Sequence, residues 1–376
     1  MGTIEPYETS AGKRYRVRYR KPDHSQTDKR GFKTKREAEE FLASTEVSKM
    51  RGDWLDPSRS RVTVGEWSKA WFDTHLGLKP TTLSGYDSAL RNYVLPRWGN
   101  TRLLDVTHSD VQAWVSEMSS RLQGSTVKQN YGALAGIIRY AVRDGLIIRN
   151  PCDGVRLPRL STRKHGYLTH TQVAQLAAQL GDYGDVVLVL AYTGIRWGEL
   201  AGLKVGRVDF ERRRLNIEEA ITEPNGVLTW GTTKSHARRS VPFPEFLTEV
   251  LKPRTAGKKL EDTLFTGPSE GVLRNTHFRP RHFDKAVKAL MAADPSFPRI
   301  TPHDLRHTAA SLAVSAGAHV KSLQRMLGHA SAAMTLDVYA DLFDDDLDAV
   351  AAALNDKAVS ASVGKMWADA KKSGPR

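Results

Sequence analysis

The sequence predicts a multidomain α+β protein: a small N-terminal β-sheet-plus-helix module, an all-α helical bundle, and a mixed, mainly α domain with a small antiparallel sheet. Three observations predict it. The 376 residues are too many for one ordinary domain. The hydrophobic period changes from two in the first sixty residues to that of a helix over 62–157. A Pro-, Gly- and base-rich stretch, NPCDGVRLPRLSTRKH from Asn150 to His165, then interrupts the pattern before mixed helix and strand signals resume. The expected divisions are 1–60, 61–157, 158–345 and a tail helix in 346–376.

In the first module, Tyr15-Arg16-Val17-Arg18-Tyr19-Arg20 alternates apolar and basic residues, the pattern of a strand with one charged face. Gly31-Phe32-Lys33 ends a further strand, and Thr34-Lys35-Arg36-Glu37 reads as a capping box opening a helix through Ala38, Phe41 and Leu42. In the second region, Trp67 and Trp71 lie one turn apart in a helix over Val64–His75. Thr81–Leu95 carries Leu83, Tyr86 and Leu90 at helical spacing. Thr107 caps a third helix with Val111, Trp114 and Met118 on one face. Ser125 opens a fourth, with Leu134, Ile137 and Ile138 inward, and Gly145 stops it. Four helices with short loops make a bundle. From Tyr167 onward, helices at Thr171–Leu180 and Asp185–Tyr192 precede short strands at Arg214–Ile221, Leu228–Thr233 and Ser240–Pro242, and helices follow to the end.

Composition narrows the function. The formal net charge is +14, which points to a polyanionic partner. The charge is clustered: Ala11–Arg36 holds eleven lysines and arginines against two aspartates, a local net of +9. A strand face bearing Arg14, Arg16, Arg18 and Arg20, with Lys33 nearby, can enter a DNA groove; the plainer alternative is an edge strand kept charged against aggregation. Arg159, Arg163 and Lys164 place further charge on the linker. The single cysteine, Cys152, allows no intramolecular disulfide and reads as a bystander. No apolar run approaches the ~20 residues that span a bilayer. Neither a Gly-rich Lys-Ser/Thr loop nor a carboxylate cluster for two-metal chemistry is present in the sequence, so no cofactor is expected.

Three motifs carry the chemistry. In TGIRWGEL, Gly194 permits a tight turn and sets Arg196 at a helix start, where an anion is well held. In TPHDLRH, Thr301 caps, Pro302 takes the first helical position, and His303 and Arg306 share a helix face. An arginine grips phosphate oxygens as a fork and a histidine moves a proton near neutral pH. His303 and His307 have the spacing of a metal pair, but the glutamate of a metalloprotease helix is absent between them. In MLGHASAAMTLDVYA, Gly328 ends one helix and Ser331 starts the next, so His329 lies on a corner and Tyr339 follows ten residues later. Alone, Tyr339 reads as a packing tyrosine.

Together these strings, with Lys234 in TTKSHARRSVPF, resemble the active site of tyrosine recombinases of the phage-integrase branch. The resemblance is detailed over 165–345 and architectural over 62–160, and residues 1–60 look like the arm-binding module of integrases. The Ala/Arg/Gly-rich composition is similar to that of actinobacteriophage integrases. The resemblance implies a site of Arg196, Lys234, His303, Arg306, His329 and Tyr339, supported from behind by Glu199 and His307. Tyr339 would be the nucleophile, His303 the proton acceptor and Lys234 the acid on the leaving 5′ oxygen. It further implies double-stranded DNA at core-type and arm-type sites, a homotetramer on that DNA, a DNA-bending host factor, a directionality factor, and a place in the bacterial cytoplasm. A chromosome-dimer resolvase or topoisomerase with the same chemistry, and a non-catalytic DNA-binding regulator, are the alternatives. The acid-rich Phe343–Leu347 start of the tail helix suits either closure of its own domain or docking on a neighbouring protomer.

Overall fold

The computed structural model describes residues 2–21, 24–51, 61–160, 166–232, 238–339 and 347–361. The chain divides into two compact units, 1–162 and 163–376.

The first unit opens with an antiparallel meander of β1 (Thr3–Thr9), β2 (Gly12–Arg20) and β3 (Gln26–Phe32), followed by α1 (Lys35–Arg51). Period two explains β2: Val17 and Tyr19 are buried with Ala38 of α1, and Phe41 and Leu42 pack on them, leaving the arginines on the other face. Strand β1 was not expected from the sequence, because Pro6 interrupts it. It is an edge strand, where a residue without an N–H is tolerated. Half of the expected capping box forms: Glu37 N–H donates to Thr34 Oγ1 at 3.1 Å, while the Glu37 carboxylate accepts from the N–H of Lys33, one residue before the cap, at 2.9 Å.

A separate apolar cluster holds the helices α2 (Val64–Asp73), α3 (Pro80–Ala89), α4 (Leu95–Trp98), α5 (His108–Ser119) and α6 (Gly124–Arg143). The continuous helix expected over Thr81–Leu95 instead widens into a π turn at Leu90–Val94. Pro96 follows it; a proline ring clashes with the carbonyl four residues back, and the wider turn relieves that clash. Helix α6 starts at Gly124 rather than Ser125, and its Gly136 lies against the Trp71 ring, where a Cβ would come within 2.9 Å. Cys152 is buried in this core, and burial pushes its thiol up to about 12, which suits a packing role.

The second unit contains α7 (His170–Leu180), α8 (Gly184–Thr193) and α9 (Trp197–Ala201), then β4 (Val208–Asp209), β5 (Arg214–Ile217), β6 (Glu219–Thr222), β7 (Thr229–Thr232) and β8 (Arg239–Pro242). The single strand expected over Arg214–Ile221 is two strands that belong to different sheets. Strand β5 lies between β4 and β8, whereas β6 pairs with β7 alone. Helices α10 (Leu247–Thr255), α11 (Asn275–Phe278), α12 (Asp284–Ala293), α13 (Asp304–Ser315), α14 (Val320–Leu327), α15 (Ala332–Tyr339) and α16 (Leu347–Ser360) complete it. Its main core joins α7, α8, β5, β8 and α12 through residues such as Leu176, Val187, Leu215, Val241 and Val287. A smaller cluster of Ala310, Val314, Leu323, Leu327 and Tyr339 ties α13 to α14 and α15. Helix α13 starts two residues later than expected: Pro302 and His303 form a turn, and Asp304 accepts from both the N–H and the hydroxyl of Thr301 at 2.8 Å. Among the described residues no helix is long and apolar enough to cross a membrane.

Candidate active site

The site is assembled from three chain reversals in the second unit. Helix α8 ends at Gly194, whose φ of +64° is left-handed and whose missing Cβ would otherwise lie 2.7 Å from Leu327 Cδ2. The turn delivers Arg196 to the N-cap of α9. There its N–H donates to Glu199 Oε2 at 2.8 Å and its Nη1 to Glu199 Oε1 at 2.9 Å. The expected neighbourhood of open helix N–H groups is thus partly filled by Glu199, which is only 1% exposed.

Arg306, on α13, is 4% exposed and spends two donors on backbone: Nη1 to the Gly194 carbonyl at 2.5 Å and Nη2 to the Leu327 carbonyl at 2.6 Å. It therefore cross-links the first motif to the third. At the third motif, Gly328 caps α14 with φ +67°, and Ser331 caps α15 by accepting from Met334 N–H at 3.1 Å. His329 stands on the corner between them, its Nδ1 3.0 Å from the buried Thr335 Oγ1.

Tyr339 ends α15 at 1% exposure. Its ring lies 5.5 Å from that of His307 and 6.3 Å from that of His329, the latter stacked at 8°. His303 is exposed just before α13, with its ring 5.4 Å from His307. The histidines and the tyrosine thus form a continuous series of rings beside Arg306. Lys234 lies in the segment joining β7 to β8 and falls outside the described residues.

The electrostatics suit an anion. Burial, reinforced by Arg196, draws Arg306 down to about 10, so it stays charged at neutral pH. Burial and the Arg306, Arg196 and Arg239 charges hold His329 down at about 4, so it is neutral there. Burial pushes Tyr339 up to about 12, against the pull of Arg306. Burial alone would raise the Glu199 carboxyl, but Arg239 and Arg196 outweigh it and the net shift is downward.

Arg239 was missed in the sequence. From β8 it donates Nη1 and Nη2 to the two oxygens of Glu199, at 2.9 and 2.5 Å, and Nε to the Met326 carbonyl at 3.3 Å. The available signal was its register: it alternates with Ser240 and shares a strand face with the fully buried Val241. An arginine on an inward face needs a carboxylate. Of the expected DNA-contacting residues, Arg16 and Arg18 are paired with Glu5 of β1, at 2.5 and 3.2 Å, which lowers the net charge of that face. Arg14 is half-buried, while Arg20, Lys33 and Arg159 are exposed. Arg163 and Lys164 fall outside the described residues.

Residues 167–345 match the phage integrase family, and residues 63–119 match the phage integrase N-terminal SAM-like domain. The chain belongs to the phage integrase family of tyrosine recombinases. It is 26% identical over 323 residues to the integrase of Mycobacterium phage D29, covering 82% of this chain and 84% of that protein. This mycobacteriophage relative agrees with the actinobacteriophage resemblance. The fold is similar to that of the Tn1549 transposon integrase in complex with transposon right end DNA, with a TM-score of 0.67 at 24% identity, covering 77% of this chain and all of that one. It is also similar to a lambda integrase tetramer bound to a Holliday junction, with a TM-score of 0.55 at 18% identity over 88% of this chain and 94% of that one.

Proposed function

We propose that this protein is an integrase that cuts and rejoins DNA at attachment sites through a 3′-phosphotyrosyl intermediate on Tyr339. The observation that carries the reading is the gathering of Arg196, Arg306, His329 and Tyr339, from three separate motifs, into one buried, positively charged site. Glu199 offsets part of the charge of Arg196, Arg239 and Arg306, and a phosphodiester would offset the remainder.

In the proposed reaction, Arg196 and Arg306 hold the non-bridging oxygens and stabilise charge that develops in the transition state; each such contact is worth ~3–4 kcal/mol. The Tyr339 oxygen forms a bond to phosphorus as the bond to the 5′ oxygen breaks. The tyrosine proton passes to His303, and Lys234 protonates the leaving 5′ oxygen. His329, neutral, hydrogen-bonds the phosphate. The energy of the phosphodiester is kept in the phosphotyrosyl bond, so a 5′-hydroxyl from a second duplex reverses the step with a new partner. Because Tyr339 is 1% exposed, its hydroxyl must turn outward when DNA is bound.

The remaining features fit the same reading. Residues 1–60 would bind arm-type sites, and 61–157 and the catalytic region 158–345 would bind core-type sites. A homotetramer on DNA is proposed by analogy with the lambda integrase tetramer, with a DNA-bending host factor and a directionality factor as further partners. Helix α16 exposes Leu354 and Val359, at 65% and 68%, which favours docking on a neighbouring protomer over closing its own domain. The test is to incubate the protein with random-sequence nicked duplexes in EDTA, then recover and sequence any covalent adduct. A Tyr339-dependent adduct without metal supports the reading, and a cutting step that needs divalent metal overturns it.

A further inference from the structure

We propose that Arg239 is a positioning residue for the phosphate site, acting through Glu199 on Arg196 and through the Met326 carbonyl on the corner that carries His329; the proposal rests on the recombinase reading of that site. The Glu199 carboxylate is 1% exposed and takes donors from two arginines. Arg239 occupies both of its oxygens in a fork, whereas Arg196 gives it one guanidinium bond at 2.9 Å. A buried carboxylate takes every donor within reach. With Arg239 in place, its demand is met and Arg196 keeps donors for a phosphate. Without Arg239, the strongest remaining donor is Arg196 itself, which is drawn into a two-oxygen grip on Glu199 and away from the substrate.

The second arm of the argument is steric. The Arg239 stem and guanidinium lie directly on Gly328, where a Cβ would come within 2.9 Å of Arg239 Cδ and 3.0 Å of its Nε. Its Nε donates to Met326, two residues before Gly328 and three before His329. The residue thus spans β8, the Arg196 turn and the His329 corner. Its side chain is 9% exposed, so it serves the site from behind rather than by touching substrate.

The experiment uses full-length protein and the nicked duplex recovered by adduct trapping, in two forms: the natural phosphate, and a methylphosphonate at the scissile position. The methylphosphonate lacks the negative charge that Arg196 is proposed to hold. Arg239→Gln, Arg239→Lys and Arg196→Gln are compared with wild type in single-turnover cleavage, DNA affinity and thermal unfolding. Arg239→Gln is expected to cleave the phosphate about 10²-fold more slowly, with DNA affinity within about threefold of wild type. On the methylphosphonate its deficit should shrink in parallel with that of Arg196→Gln. Arg239→Lys should recover little, because an ammonium cannot reproduce the fork. Cleavage of the phosphate by Arg239→Gln at the wild-type rate overturns the proposal. So does a deficit that is equal on both substrates in a folded protein, since a scaffold defect is indifferent to the substrate's charge. If Arg239→Gln does not fold, Arg239→Lys is judged by the same two criteria, and failure of both to fold also overturns the proposal. Absence of any adduct with wild type sinks the recombinase reading itself, which is a separate result.

Discussion

Arg306 Nη1 donates to the carbonyl oxygen of Gly194 at 2.5 Å, joining the TPHDLRH motif to the turn that presents Arg196. The contact depends on the left-handed backbone of Gly194 and on the space left by its missing side chain. Gly194→Ala should therefore lose stability twice, through an unfavourable φ and through overlap with Leu327, at a combined cost of about 2–4 kcal/mol. Denaturant unfolding measures this. Wild-type stability together with wild-type cleavage would mean that the turn is not needed to place Arg306.

Tyr339→Phe should abolish adduct formation while leaving DNA affinity unchanged. Only the hydroxyl is lost, and the ring keeps its packing against His307 and His329. No hydrogen bond to another described residue holds that hydroxyl, so the change should alter stability by less than about 1 kcal/mol. Denaturing gels of nicked-substrate reactions and thermal unfolding test the two halves independently. A normal adduct from this variant would show that another residue is the nucleophile.

His329 gives a pH dependence with a definite sign. Burial and three arginines hold it at about 4, whereas an exposed histidine titrates near 6.5. Between those values the unfolded chain binds a proton that the folded chain refuses, so this group's contribution to stability is present above pH 6.5 and is lost as pH falls toward 4. His329→Gln should flatten that part of the stability profile. In imidazole nuclear magnetic resonance, the His329 titration should move upward when DNA places a phosphate beside the arginines. An unshifted titration would indicate that His329 does not face the bound phosphate.

The extent to which the sequence disclosed this site follows from how local each feature is. Gly194, Gly328 and the Ser331 cap announce themselves through turn chemistry, so the corners bearing Arg196 and His329 were placed correctly. Glu199 was placed behind Arg196, as found, but its second partner was not legible, because Arg239 is forty residues away and reaches it through the pairing of β8 with β5. The same non-local pairing hid the break between β5 and β6. The π turn before Pro96 was lost for a different reason: helical periodicity survives one wide turn, and only the proline hints at it. Strand β1 was obscured by Pro6, whose cost depends on whether the strand lies at an edge, a property of the sheet and not of the segment.

Lys234→Ala should slow cleavage, and a 5′-bridging phosphorothiolate should restore much of the rate. A sulfur leaving group departs without needing a proton, so loss of a general acid matters less. The comparison is a ratio of single-turnover rates on the two substrates. An equal deficit on both would assign Lys234 to binding or loop placement instead of proton donation.

The N-terminal module offers the test of how the protein meets two DNA sites. Its core of Val17, Tyr19 and Ala38 is a cluster separate from the one around Trp71, Trp98 and Ile137, so removing residues 1–60 leaves the bundle core intact. The outward face of β2 carries Arg14, Arg16, Arg18 and Arg20, but Glu5 engages two of the four. Arg16, Arg18 and Glu5 are half-buried at the surface, where water still screens an ion pair, so a phosphate backbone can displace the carboxylate and recover both arginines. Two DNA-binding surfaces on one chain raise each other's effective concentration only if the duplex can bring both sites within reach. With a persistence length of about 150 base pairs, closely spaced sites need an external bend. A chain beginning at Arg61 should therefore still form the Tyr339 adduct on a minimal nicked core site. It should fail to recombine full-length attachment sites and should lose footprints away from the crossover. If instead the truncated chain recombines such sites normally, or if the intact module shows no preference for any DNA, the arginine face of β2 is a charged sheet surface and the bridging arrangement is wrong.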